Sequence, residues 1–77
     1  MDVRIGIAQT GQVIELELAD ETDRAALRKQ VDQTLADEGA VLWLTDRKGK
    51  EIGVPAARIS FFELGTADTE RRIGFGV

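Results

Sequence analysis

The chain has 77 residues, 43% of them hydrophobic and 31% charged, and its formal net charge is −4 at pH 7. This composition is that of a globular protein rather than a disordered tail, and the length predicts a single domain over residues 1–77. The acidic balance argues against a nucleic-acid partner that needs a broadly positive face. The chain has no Cys and no His, so self-association is the expected means of stabilising so small a domain.

The N-terminal segment runs from Met1 directly into alternating apolar residues. It has neither the basic stretch of a signal peptide nor an apolar run long enough to cross a membrane. The absence of Cys suits a reducing compartment. We therefore expect a cytoplasmic protein with no membrane partner.

Period-2 alternation predicts two strands, Val3–Ala8 and Gln12–Leu18, joined by a loop at Thr10-Gly11. A two-residue loop gives a hairpin whose apolar and charged faces agree, with Arg4 opposite Glu17. A bulged three-residue loop is the alternative. The apolar pairs of the two-residue register are Ile7–Ile14, Ile5–Leu16 and Val3–Leu18.

Helical spacing of Leu27, Val31 and Leu35 predicts an amphipathic helix from about Thr22 to Glu38. The acidic residues that precede it supply candidates for its N-cap. Gly39 is predicted as a left-handed C-terminal cap.

A second hairpin follows, with a strand over Val41–Asp46 that is apolar on both faces. The sequence Asp46-Arg47-Lys48-Gly49 is typical of a type I turn closed by a left-handed glycine. The resulting register places Trp43 opposite Gly53, where the ring can lie across the missing side chain. The other pairs are Leu44–Ile52 and Leu42–Val54, and Pro55 ends the strand.

Arg58–Leu64 is predicted as a further strand, again apolar on both sides, and Arg71–Val77 as a possible sixth. Glycines 74 and 76 would allow close approach of the last segment to a strand of the same chain, to another chain or to a ligand. The predicted fold class is α+β in the order ββαβββ. It consists of a single, mostly antiparallel sheet of two hairpins plus further strands, with one amphipathic helix on one face.

One helix cannot cover both faces of a sheet, so the second apolar face needs another cover. The hypothesis is an interface with a second copy or a protein partner. The alternative is a sheet that curls and closes its own second core. The predicted interface residues are Val41, Trp43, Phe61, Phe62 and Phe75.

A local basic patch is the rival site, and it would form if the second hairpin tip lay beside the C-terminal segment. Solvated turn charges are the simpler interpretation of these residues. The candidate residues are Arg47, Lys48, Lys50, Arg58, Arg71 and Arg72.

No motif predicts catalysis, a cofactor or a metal. Gly49-Lys50 fails the phosphate-loop pattern, because Leu44 replaces its first glycine and Glu51 its Ser or Thr. A hydroxyl nucleophile such as Ser60 would have no His as its base. We therefore expect that the protein is not an enzyme.

Several segments together resemble the actinobacterial domain-of-unknown-function family 3107, whose members run from a VRIG start to an RRVGFG end. The resemblance covers nearly the whole chain and implies a cytosolic protein of unestablished function, with no catalytic residues to transfer. Some members are labelled ATP-binding, but no phosphate-loop motif here supports that label. The matching segments are Val3-Arg4-Ile5-Gly6, Leu44 to Gly49, Val54-Pro55, Ile59 to Gly65 and Arg71 to Gly76.

The leading hypothesis is thus a small binding or assembly module that self-associates, forming a homo-oligomer through its apolar sheet face. The alternative is a module that binds a nucleotide, another small ligand or a nucleic acid through the basic patch.

Overall fold

A computed structural model of the chain describes residues 1–66. The α+β class and the ββαβββ order are confirmed, but the strands form two antiparallel sheets rather than one. The predicted strand at Arg71–Val77 lies outside the described residues. The elements are β1 (Asp2–Ile7), β2 (Val13–Glu17), α1 (Arg24–Leu35), β3 (Val41–Thr45), β4 (Glu51–Pro55), a 3₁₀ turn (Ala56–Arg58) and β5 (Ile59–Leu64).

The larger sheet has the order β2-β1-β5, and its first hairpin departs from the predicted register by two residues. Ile5 faces Ile14 rather than Leu16, and Arg4 faces Glu15 rather than Glu17. The loop is longer than expected, because the Ile7 N–H donates to the Gln12 carbonyl at 2.9 Å. Within this longer loop, Gln9 and Gly11 both have positive φ.

The smaller sheet is the hairpin of β3 and β4, and its predicted register is confirmed at all three pairs. Gly49 has φ +91°, as a left-handed turn residue requires. The Asp46 N–H donates to the Lys50 carbonyl at 2.8 Å, which closes a three-residue loop. The strand ends at Pro55, as predicted.

Helix α1 is shorter than predicted at both ends. It begins after Asp23, whose carboxylate accepts the Ala26 N–H at 3.1 Å and caps the first turn. It ends at Leu35, followed by Ala36 in the right-handed region. The predicted left-handed cap at Gly39 is wrong, since Gly39 has no positive φ and instead donates its N–H to the Asp37 carboxylate at 3.0 Å.

A single hydrophobic core joins both sheets to the helix. Ile5 of the larger sheet and Leu42 of the smaller one are both fully buried, and they belong to the same cluster. The two sheets also meet at a backbone hydrogen bond, where the Arg47 N–H donates to the Glu17 carbonyl at 2.8 Å. The buried members of the cluster are Met1, Val3, Ile5, Leu18, Leu27, Val31, Leu42, Leu44 and Val54.

Within residues 1–66, no helix combines the length and the apolar character that a membrane span requires.

Candidate interaction surface

The outer face of the smaller sheet carries the most exposed large apolar side chain among the described residues. Trp43 is 60% exposed, and Val41 beside it on the same strand is 42% exposed. A Cβ built on Gly53 would lie 2.7–2.9 Å from three carbons of the indole ring. The ring therefore lies flat on the backbone of Gly53 and presents its other face to solvent.

Alternation along β3 explains why Trp43 points outward. Leu42 and Leu44 are buried in the core, so the residues between and beside them must face the opposite side of the strand. The rest of this outer face has little charge: Thr45 on β3, and Glu51, Gly53 and Pro55 on β4. We call the surface made by Val41, Trp43, Gly53 and Pro55 the tryptophan face.

Phe61 occupies a similar position on the larger sheet. It is 43% exposed and pairs with Gly6 across β1 and β5, where a Cβ on Gly6 would overlap the Phe61 ring. The sequence does not predict this contact, because it depends on pairing between distant strands. A glycine inside the alternating strand pattern at position 6 was the available signal.

Charged groups surround Phe61, unlike Trp43. Arg4 lies on the same outer face and forms ion pairs with Glu63 at 3.0 Å and with Glu15 at 3.7 Å. These three side chains are about half exposed or more. The outer face of the larger sheet is therefore solvated and charged beside its aromatic ring.

The structure divides the predicted interface residues among different surfaces. Val41 and Trp43 share the tryptophan face, and Phe61 lies on the other sheet. Phe62 points inward, where it packs partly buried against the core. Phe75 lies outside the described residues.

The structure also places the described residues of the predicted basic patch apart from one another. Arg47 pairs with Glu17 at 2.8 Å, while Lys48 and Lys50 lie exposed at the hairpin tip. Arg58 follows the opposite end of β4, whose five residues span roughly 17 Å. Arg71 and Arg72 lie outside the described residues.

Asp46 organises the hairpin tip. Its carboxylate Oδ1 accepts the N–H groups of Lys48 and Lys50, each at 2.9 Å. The hydrogen bond from the Lys50 backbone, followed by that from Lys48 and by the charges of both lysines, holds the pKa of Asp46 below its usual value. The backbone of the hairpin tip is therefore hydrogen-bonded to an ionised carboxylate.

A groove of about 870 Å³ lies between α1 and the inner side of β5. Its apolar lining consists of Val31, Leu35, Phe62 and Leu64. Its charged lining consists of Arg24, Arg28, Lys29 and Asp32, all from α1. We call it the α1–β5 groove.

The part of the chain that the structure describes contains no group of three or more acidic side chains placed to hold a metal ion.

Comparison with protein families agrees with the resemblance of the sequence motifs. The family model described as "Protein of unknown function (DUF3107)" matches residues 1–76. The chain belongs to the DUF3107 family. No curated protein matches the chain at a significant level. The DUF3107 description assigns no activity.

Proposed function

We propose that this DUF3107 protein is a small binding and assembly module that forms a homo-oligomer through its tryptophan face. The observation that carries the proposal is the exposure of Trp43, whose ring lies flat on Gly53 with its other side open to water. Exposed tryptophan is costly to hydrate and is among the residues that contribute most to binding at interfaces.

The chemistry of the surface supports a second copy as the partner. The tryptophan face is flat and almost uncharged, with Glu51 the only ionised residue among the outward positions of β3 and β4. A twofold axis would place this face against itself, which buries two indole rings without bringing many like charges together. The Phe61 side is less suitable, because three charged side chains would have to be desolvated there.

The proposal includes a cytoplasmic location in an actinobacterium and no catalytic role. The absence of Cys is compatible with a reducing cytosol. The alternative of a nucleotide or nucleic-acid site draws less support, because Arg47 is already paired with Glu17 and Arg58 lies at the other end of the hairpin.

The test is sedimentation velocity on the 77-residue chain over a concentration series, comparing Trp43→Thr with Phe61→Thr. Both variants remove one exposed aromatic ring that lies on a glycine, so the second is a matched control. We expect the unmodified chain and Phe61→Thr to associate as concentration rises, and Trp43→Thr to remain monomeric. Circular dichroism establishes that each variant is folded.

Two results would contradict this proposal. One is a chain that stays monomeric up to about 1 mM, because a weaker dissociation constant corresponds to less than about 4 kcal/mol of association free energy. The other is association that Trp43→Thr leaves unchanged.

A further inference from the structure

Glu51 is an exposed carboxylate next to the aromatic centre of the tryptophan face. It lies two residues before Gly53 on β4, so both residues are on the outer side of the strand. Their Cα atoms are roughly 7 Å apart, as the rise of a strand dictates. Gly53 is the residue on which the Trp43 ring lies. The ring and the carboxylate therefore belong to one small surface.

A second copy that covers Trp43 also covers Glu51. The strands β3 and β4 have five residues each, so their joint outer face measures roughly 17 Å by 10 Å. A stable interface takes roughly 800 Å² from each partner, which is several times the area of this face. The carboxylate is thus enclosed in the interface, whichever way the two copies are turned about their twofold axis.

The tryptophan face itself offers Glu51 no cation. Across the ladder, Glu51 is opposite Thr45, which is uncharged. A twofold axis brings the same outward residues from the second copy, and none of them is basic. The enclosed carboxylate therefore meets uncharged groups or the equivalent carboxylate.

The basic groups nearest to Glu51 on its own chain are not paired with it. Within residues 1–66, no ion pair joins Glu51 to a basic side chain. Arg47 is paired with Glu17 at 2.8 Å. The carbonyl of Arg58 accepts the Ala8 N–H at 2.7 Å, which directs the backbone beyond β4 towards the larger sheet. The remaining charged residues near β4 lie at the hairpin tip and are Asp46, Lys48 and Lys50.

We propose that self-association through the tryptophan face takes up protons from solvent at Glu51, so that the homo-oligomer becomes more stable as pH falls. This inference rests on the proposed function, because Glu51 loses its contact with water only when the tryptophan face is covered. A carboxylate that leaves water without a cation is disfavoured in its charged form. The associated state therefore binds more protons than the free chains, which makes association tighter at lower pH.

The folded chain offers few competing titrations between about pH 7 and pH 5. It has no His, the side chain that ordinarily titrates in this range. The pKa of Asp46 is held below 3.8, first by its hydrogen bond from the Lys50 backbone, so the tip carboxylate stays ionised. A change in association over this range therefore reports carboxylates that the interface encloses.

The test is sedimentation velocity of the 77-residue chain at about pH 7 and pH 5, at one ionic strength, comparing Glu51→Gln with Glu15→Gln. Both variants remove one negative charge from an outward strand position. Glu15 is on β2 of the larger sheet, so its variant is the matched control.

We expect the dissociation constant of the unmodified chain to fall at least about fivefold from pH 7 to pH 5. Glu51→Gln, which has no charge to neutralise, associates at pH 7 about as tightly as the unmodified chain does at pH 5. Its dissociation constant then changes little with pH. Glu15→Gln behaves as the unmodified chain does. Circular dichroism at both pH values establishes that each variant is folded.

The possible failures of this test are distinguishable. Association that requires Trp43 but changes less than about twofold with pH, or that stays equally pH-dependent in Glu51→Gln, would overturn the proton uptake and leave the proposed function in place. A chain that is monomeric at both pH values would contradict the proposed function and the proton uptake with it.

Discussion

Two aromatic residues in this protein lie on glycines of a neighbouring strand. Trp43 covers Gly53 in the smaller sheet, and Phe61 covers Gly6 in the larger one. In both pairs, the space that a Cβ would occupy is taken by ring carbons. Glycine costs a strand conformational entropy, but here it lets a large ring contact the backbone directly. The identity of these glycines is therefore set by packing rather than by backbone torsion.

Replacing Gly6 with Ala should destabilise the fold by about 1–3 kcal/mol, because the new methyl group must displace the Phe61 ring. Urea unfolding followed by circular dichroism measures the change. Gly39→Ala is the control, since its Cβ would meet only Asp37 Oδ1 at 3.6 Å, and we expect a change within about 0.5 kcal/mol.

A double-mutant comparison separates ring displacement from other effects of Gly6→Ala. In a Phe61→Ala background the ring is gone and only the Ser60 Oγ, 2.7 Å from the new methyl position, would have to move, so the substitution should cost clearly less. An equal cost in both backgrounds would contradict the packing argument.

At the scale of elements, the two hairpins show what the sequence can and cannot specify. The second hairpin is predicted correctly, because Asp46 and Gly49 fix a three-residue loop and the loop fixes the register. The predicted register of the first hairpin is wrong by two residues. A shift of two keeps every side chain on its face, so alternation alone cannot detect it. Only the loop sequence could distinguish the two registers, and Thr10-Gly11 does not specify one loop length.

The same limit explains the outcome for the candidate surface. The contact of Trp43 with Gly53 depends on a local turn, and the sequence predicts it. The contact of Phe61 with Gly6 depends on the pairing of β1 with β5, which the sequence does not predict. The division into two sheets is missed for the same reason, since alternation does not say which strands are neighbours. The helix ends differ because Asp23, among several acidic candidates, supplies the cap.

The turn of the second hairpin should respond to acid. The lowered pKa of Asp46 means that its carboxylate stabilises the fold above the ordinary value of 3.8, and that this contribution is lost as pH falls through the still lower folded pKa. Asp46→Asn should therefore be less stable than the unmodified chain at neutral pH, with a difference that shrinks below about pH 4. Urea unfolding from acidic to neutral pH measures this difference, and a value independent of pH would contradict it.

At the scale of the whole molecule, the shared core should make the two sheets unfold together. Ile5 and Leu42 come from different sheets, yet both are fully buried in one cluster. A two-stranded hairpin is at best marginally stable alone, so β3 and β4 depend on the larger sheet and the helix. The Glu17–Arg47 pair adds little to this coupling, since both side chains are half exposed.

Ile5→Val tests this coupling, because it weakens the larger sheet while Trp43 reports on the smaller one. The lost methyl group should cost about 0.5–1.5 kcal/mol. We expect Trp43 fluorescence, which reports the smaller sheet, and circular dichroism, which reports the whole backbone, to shift by the same amount in urea. A shift confined to circular dichroism would show that the sheets unfold independently.

The position of β1 between β2 and β5 has a consequence for biosynthesis. During synthesis, β1 gains its second neighbour only after residues 59–64 have emerged, because Val3 pairs with Leu64. Contacts so distant in sequence form late, after the entropy of closing a long loop has been overcome. The nascent chain therefore carries an open β1 edge from the emergence of the first hairpin until β5 has followed, and the β2-β1-β5 order cannot form before then.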